Sequence, residues 1–193
     1  MFELGDNEML EKNDIFTIEC EDIILREFQM EDLDSLYKLT LQPEITDILP
    51  DWIGTREQYK DWIENKYIKG NMKFKDSIPS IGGRWISLGI ILKETNEFIG
   101  WCCNGESDEM PIPNRDIGYA ISKYHRNKGY VTQAVKGLIK YLFDNTDAQY
   151  VDAIALINNG PSNRVIEKCG FKYIEDINIG DKKFHRYKLK KKK

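Results

Sequence analysis

Eight consecutive residues, His125-Arg126-Asn127-Lys128-Gly129-Tyr130-Val131-Thr132, combine basic side chains, one glycine and a hydroxyl. The apolar stripe that follows, Val131, Ala134, Val135, Leu138, Ile139 and Leu142, has helical spacing and puts Arg126 to Val131 at a helix N-terminus. Free backbone N–H groups and the positive end of the helix dipole gather there, so an anion is welcome. Gly129 lets the backbone approach a phosphate closely, and Arg126 and Lys128 add charge. That is pyrophosphate chemistry, although a solvated helix start can have the same composition. No Gly-x-x-x-x-Gly-Lys-Ser/Thr and no Gly-x-Gly-x-x-Gly occurs, which argues against P-loop and dinucleotide enzymes.

Other reactive types are sparser. Asn158-Asn159-Gly160-Pro161-Ser162 opens a short helix, with Pro161 suited to its first position and Gly170 to the position after its end. Asn159 and Ser162 are common capping types, so a structural role is available to both. Asp116 heads an apolar segment, Glu106, Asp108 and Glu109 lie in the loop before it, and His125 and His185 are the two histidines. Cys20, Cys102, Cys103 and Cys169 show no Cys-x-x-Cys spacing, so neither a disulfide framework nor a metal site is expected.

The elements that position these residues follow from periodicity. Ile23 to Phe28 reads as a strand; Leu33, Leu36, Tyr37 and Thr40 as a helix ended by Pro43; and Gln42 to Thr55 as a loop. Tyr59, Trp62, Ile63 and Lys66 to Tyr67 suggest a second helix, and residues 70–84, with Gly70 and Pro79, an irregular connection. Trp85 to Leu92 and Glu97 to Cys103 suit a hairpin, Asn104 to Asn114 an acidic loop, and 116–122 a further strand. Tyr150 to Ile157 is a nearly unbroken apolar run, as in a buried central strand. Phe171 to Ile177 and Phe184 to Leu189 close the chain as a hairpin around Gly180-Asp181.

A length of 193 residues, 41% hydrophobic and 31% charged, suits one globular domain, expected over 18–189 after a weakly structured lead-in 1–17 and before a basic tail 190–193. Net charge is −4; with four lysines at 190–193, the rest of the chain carries −8. Nucleic acid is therefore not the expected ligand. An acidic body favours cationic amines or simply keeps the protein in solution. No signal-peptide pattern or membrane span is expected, and a reducing cytoplasm is the default. Monomer and homodimer both stay open.

At this point the sequence resembles a known family. Arg126-Asn127-Lys128-Gly129-Tyr130-Val131 is similar to the Arg/Gln-x-x-Gly-x-Gly/Ala motif of the GCN5-related N-acetyltransferases (GNAT). Asn159-Gly160-Pro161-Ser162, continuing through Glu167-Lys168-Cys169-Gly170-Phe171, resembles the Asn-x-x-Ser…Glu-Lys-x-Gly-Phe segment of the family's ribosomal-protein-alanine (RimJ/RimL-like) branch. Leu25-Arg26 with Asp32, and Ile117-Gly118-Tyr119, resemble other parts of that branch, so the likeness runs from about 22 to 189.

The resemblance implies a three-layer α/β fold of the mixed α+β kind. Its central sheet is mixed but mostly antiparallel, is flanked by helices, and has strands 116–122 and 150–157 splayed apart. It implies acetyl-CoA as co-substrate, no metal, pantetheine between the splayed strands near Ile121 and Asn159, and phosphates on the amides of 127 to 132. It also implies acetyl transfer to a primary amine, of a protein N-terminus or a small molecule. Ser162 would lie near the thioester sulfur, and Asp116, beside the pantetheine strand, could draw the ammonium proton. Asp47, Asp51 and Trp52 would receive the acceptor between loop 42–55 and the closing hairpin, while Tyr59 and Trp62 suit core or rim positions. Two departures stand out. Ile166 occupies the place of a proton-donating tyrosine found in many members, and Val131 a place usually given to Gly or Ala, where a branched side chain can crowd a diphosphate although a backbone N–H remains available. The alternatives are a non-catalytic acyl-CoA-binding module on the same fold, or an antibiotic or polyamine acetyltransferase.

Overall fold

A computed structural model of the chain describes residues 15–192; the first fourteen residues of the expected lead-in and Lys193 lie outside that range. The elements in chain order are β1 (Thr17–Glu19), β2 (Ile23–Glu27), α1 (Leu33–Thr40), α2 (Pro43–Thr46), a 3-10 turn at Pro50–Trp52 and α3 (Arg56–Asp61). A π-helical stretch at Trp62–Ile68 leads into α4 (Lys69–Lys75). Then come β3 (Ile86–Leu92), β4 (Glu97–Gly105), β5 (Asp116–Ile121), α5 (Tyr130–Asn145), β6 (Tyr150–Leu156), α6 (Gly160–Lys168), β7 (Lys172–Ile179) and β8 (Lys182–Lys190).

The strands form one sheet in the order β1-β2-β3-β4-β5-β6-β8-β7, antiparallel throughout except between β5 and β6. Alternation along the strands supplies two cores. On one face Val131, Val135, Leu138 and Leu142 of α5 and Ile166 of α6 pack with Leu25, Leu88, Cys102, Ile117, Val151 and Ala153. On the other, Leu36, Leu39, Tyr59, Ile63 and Tyr67 pack with Ile91, Phe98, Trp101 and Ala120. Cys102 and Cys103 divide between these faces, as strand alternation requires.

Three local expectations need correction. The segment 42–55 is not a plain loop but carries α2 and the 3-10 turn. The helix around Tyr59 does not stop before Gly70; it continues to Lys75, because Asn71 and Phe74 are buried beyond that glycine. Asn71 donates to Ser87 O and accepts from Ser87 N–H, both at 2.8 Å, so its buried amide is satisfied against β3. Finally, a three-residue strand, β1, precedes the expected first strand and pairs with it.

Arg26 and Asp32 lock the entry to α1. Two guanidinium nitrogens donate to the two carboxylate oxygens at 2.7 Å, and Asp32 also accepts the Gln29 N–H at 2.8 Å.

Candidate active site

The parallel pair β5 and β6 touches at one ladder position, Asp116 opposite Asp152, with Asp152 N–H bonded to Arg115 O at 2.8 Å. Beyond it the two strands part. β5 stays paired to β4 as far as Ile121, and β6 stays paired to β8 through Leu156. The facing backbone edges therefore form a fork that is closed at Asp116 and open at Ile121, and an extended ligand can bond to its unpaired amides and carbonyls.

At the open end, β5 runs into the basic turn. Asn127 and Gly129 both have left-handed backbones, with φ of 62° and 84°. Such residues turn nearby N–H groups toward one concave side. Gly129 is the N-cap of α5; no side chain caps that end, and Gln133 N–H to Gly129 O, at 3.0 Å, begins the helical bonding. The amides of the first turn are thus directed outward at the dipole's positive end. A Cβ built on Gly129 would meet nothing within 4 Å, so there is room for a phosphate. Lys128 and Arg126 are exposed beside it, the latter donating to Glu44 O at 2.9 Å, while Tyr130 and Thr132 are half-buried. The Val131 side chain is buried in the core beneath α5.

α6 begins across the fork. Asn159 Oδ1 accepts the Ser162 N–H at 3.3 Å, which gives Asn159 the capping role foreseen for its type. Tyr119, on β5, donates its hydroxyl to Ser162 O at 3.2 Å. Ser162 is thus fixed from both sides, through its N–H from α6 and through its carbonyl from β5. Burial pushes the Tyr119 phenol up, which keeps it a neutral donor. Sequence reading missed this role. The available signal was a hydroxyl at a strand position whose neighbours, Ile117 and Ile121, face the α5 core, where a phenol needs a partner. Ile166 is buried core.

Asp116 sits at the closed end, on the opposite sheet face. Burial pushes its carboxyl up to about 8; the Glu109 charge adds to this, and the Ile117 and Ile154 amides pull it back. One of its carboxyl oxygens is buried without a hydrogen-bond partner. Fully buried Asn104 donates to Asp116 O at 2.8 Å and to Arg115 O at 3.3 Å, steadying the start of β5.

On that face Trp52 stacks on Trp101 at 4.2 Å and 7°. Trp101 lies opposite Ala120 of β5, and a Cβ on Gly118 would come within 3.5 Å of its ring, so the stack borders the fork. Trp52 therefore lies on the same sheet face as Asp116, with Trp62 edge-on at 6.5 Å, whereas Tyr59 is core. Asp47 is exposed at the end of α2, and the side chain of Asp51 lies outside the described residues. The two histidines stay apart from the closed end: His125 faces Glu97 at 3.4 Å in the turn, and His185 bonds Asp176 at 2.6 Å on the terminal hairpin. Asp108 and Glu109 are exposed in the β4–β5 loop. Glu106 lines a cavity of about 360 Å³ at the far ends of β5 and β6, together with Arg115 and Tyr150 and away from the open end of the fork. Among the described residues no group of three or more His, Cys, Asp or Glu could hold a metal ion, and no helix is long and apolar enough to cross a membrane.

Known proteins resemble this chain in sequence and in fold. A family model described as an acetyltransferase (GNAT) domain matches residues 22–172. An uncharacterised N-acetyltransferase of Bacillus licheniformis, p20, is 29% identical over 158 residues, covering 80% of this chain and 82% of its own. A GNAT-family acetyltransferase from Bacillus anthracis superposes with a TM-score of 0.73 at 20% identity, covering 91% of this chain and 98% of that one. RimL, a ribosomal L7/L12 α-N-protein acetyltransferase solved with coenzyme A, gives 0.72 at 16% identity over 91% and 98%.

Proposed function

From the premise that the chain belongs to the GNAT acetyltransferase family, we propose that it transfers acetyl from acetyl-CoA to a primary amine, directly, within a ternary complex. The observation that carries this reading is the fork, which has an anion-binding helix start at its mouth and a carboxyl with a raised pKa at its closed end.

In this reading the amides of 127 to 132 take the diphosphate, Arg126 and Lys128 add charge, and the free edge near Ile121 together with Asn159 holds pantetheine. Ionised Asp116 takes a proton from the acceptor ammonium, directly or through water. The freed amine attacks the thioester carbonyl, a C–N bond forms, and as the C–S bond breaks the nitrogen gives up its second proton to solvent. The Ser162 hydroxyl hydrogen-bonds the departing sulfur, which draws its proton from solvent. Tyr119 is a positioning residue for Ser162. The aromatic stack at Trp52, with Asp47 and Asp51 on the same segment, would meet the acceptor, an amine of a protein N-terminus or a small molecule. The RimJ/RimL-like assignment is supported by the Asn159–Phe171 motif and by likeness to RimL.

Thiol release on mixing the protein with acetyl-CoA and a panel of N-terminal peptides, polyamines and aminoglycosides tests the reading. Sustained release that depends on one amine class is the expected result. Tight CoA binding with no amine-dependent release would instead favour a non-catalytic acyl-CoA-binding module.

A further inference from the structure

The first residues of the basic turn are held by a side chain from about 80 residues earlier in the chain. Gln42, immediately before α2, accepts the Lys123 N–H on Oε1 at 2.8 Å and donates from Nε2 to Ser122 Oγ at 3.2 Å. Ser122 is buried, and its own N–H bonds Ile99 O at 2.8 Å, so it marks the last point at which β5 is fastened to β4. Two residues further along α2 the tie is repeated: the Glu44 carbonyl accepts from Arg126 at 2.9 Å, and its carboxylate faces Lys123 Nζ at 3.5 Å. Within the turn, His125 N–H bonds Ser122 O at 2.9 Å. The Gln42 carboxamide thus places an acceptor and a donor on two adjacent groups at the point where the chain leaves the sheet for the left-handed residues Asn127 and Gly129.

We propose that Gln42 is a positioning residue for the phosphate-binding turn. By fixing Ser122 and Lys123 it sets the direction in which the amides of 127 to 132 face, and so the affinity for the CoA diphosphate. The same tie joins the turn to the segment that carries Trp52. Without Gln42 the Lys123 N–H loses its partner, and the turn gains freedom that a bound diphosphate must remove again. The proposal rests on the acetyl-CoA reading above.

Calorimetric titration of CoA into the intact protein and into the Gln42→Leu and Gln42→Glu variants tests it. Gln42→Leu should raise the dissociation constant about tenfold, as the loss of two hydrogen bonds suggests, with stoichiometry unchanged at about one per chain. Gln42→Glu, which keeps an acceptor for the Lys123 N–H, should recover most of the affinity when all three proteins are compared at about 0.5 M salt, where its added charge is screened. A merely structural role would reduce the bound fraction and leave the dissociation constant where it was. Unchanged affinity in Gln42→Leu, a loss of stoichiometry alone, or a Gln42→Glu variant no better than Gln42→Leu would overturn the positioning role while leaving the acetyltransferase reading intact. Absence of CoA binding to the unaltered protein would overturn both.

Discussion

Asp116 is held largely protonated at neutral pH: with its carboxyl pushed up to about 8, about a tenth is ionised at pH 7. If ionised Asp116 is the base, kcat/KM rises with pH and levels off above an inflection near 8, and Asp116→Asn lowers the rate by on the order of a hundredfold and removes that inflection. An unchanged pH profile in the variant would sink this assignment. The stability effect has a definite sign. The folded-state pKa lies above the unfolded value of about 3.9, so between these two values the folded state binds more protons, and stability falls as pH rises through that window. Asp116→Asn escapes the penalty, so its Tm should exceed that of the unaltered protein at pH 9, an advantage that is gone by pH 4. Tyr119→Phe removes one hydrogen bond worth about 1 kcal/mol and is expected to lower kcat several-fold with little change in the KM for acetyl-CoA. Steady-state kinetics separates that from a binding defect. The Asn159 cap at the start of α6 was legible in sequence because helix caps are local. Tyr119 and Gln42 were not, because their partners lie 43 and 80 residues away.

Between β3 and the core that holds Leu36 and Tyr59, the run from Arg56 to Lys75 shows how element boundaries are decided. Gly70 reads as a stop when only neighbouring residues are considered, but burial of Ile63, Tyr67, Asn71 and Phe74 carries the helix past it, through a π-helical stretch that keeps these residues inward. A Cβ at Gly70 would meet nothing within 4 Å, and its backbone is helical, so Gly70→Ala should stabilise the protein by about 0.5–1 kcal/mol, read as a raised Tm in thermal unfolding. A destabilised variant would show that the glycine serves a contact absent from this account. β1 escaped sequence reading for another reason: three residues are too few to show a period, and what makes them a strand is the partner Leu25 opposite Ile18.

Across the whole molecule, the site exists because a mostly antiparallel sheet contains one parallel neighbour pair whose strands part after a single ladder contact. Alternation in the sequence supplies the strands and their buried faces; it says nothing about where two of them separate, and the fork was legible only through the family motif. Core packing likewise decides which way the Val131 side chain faces, which its place in the motif does not reveal. The central claim is that the fork and the turn at its mouth together bind CoA. Its most direct test is a calorimetric titration of CoA into the unaltered protein and into Gly129→Glu, which sets a carboxylate in the space left for phosphate at a backbone with φ of 84°. The account predicts about one CoA bound per chain and affinity reduced at least tenfold in the variant. No binding by the unaltered protein, or equal binding by the two, would contradict it.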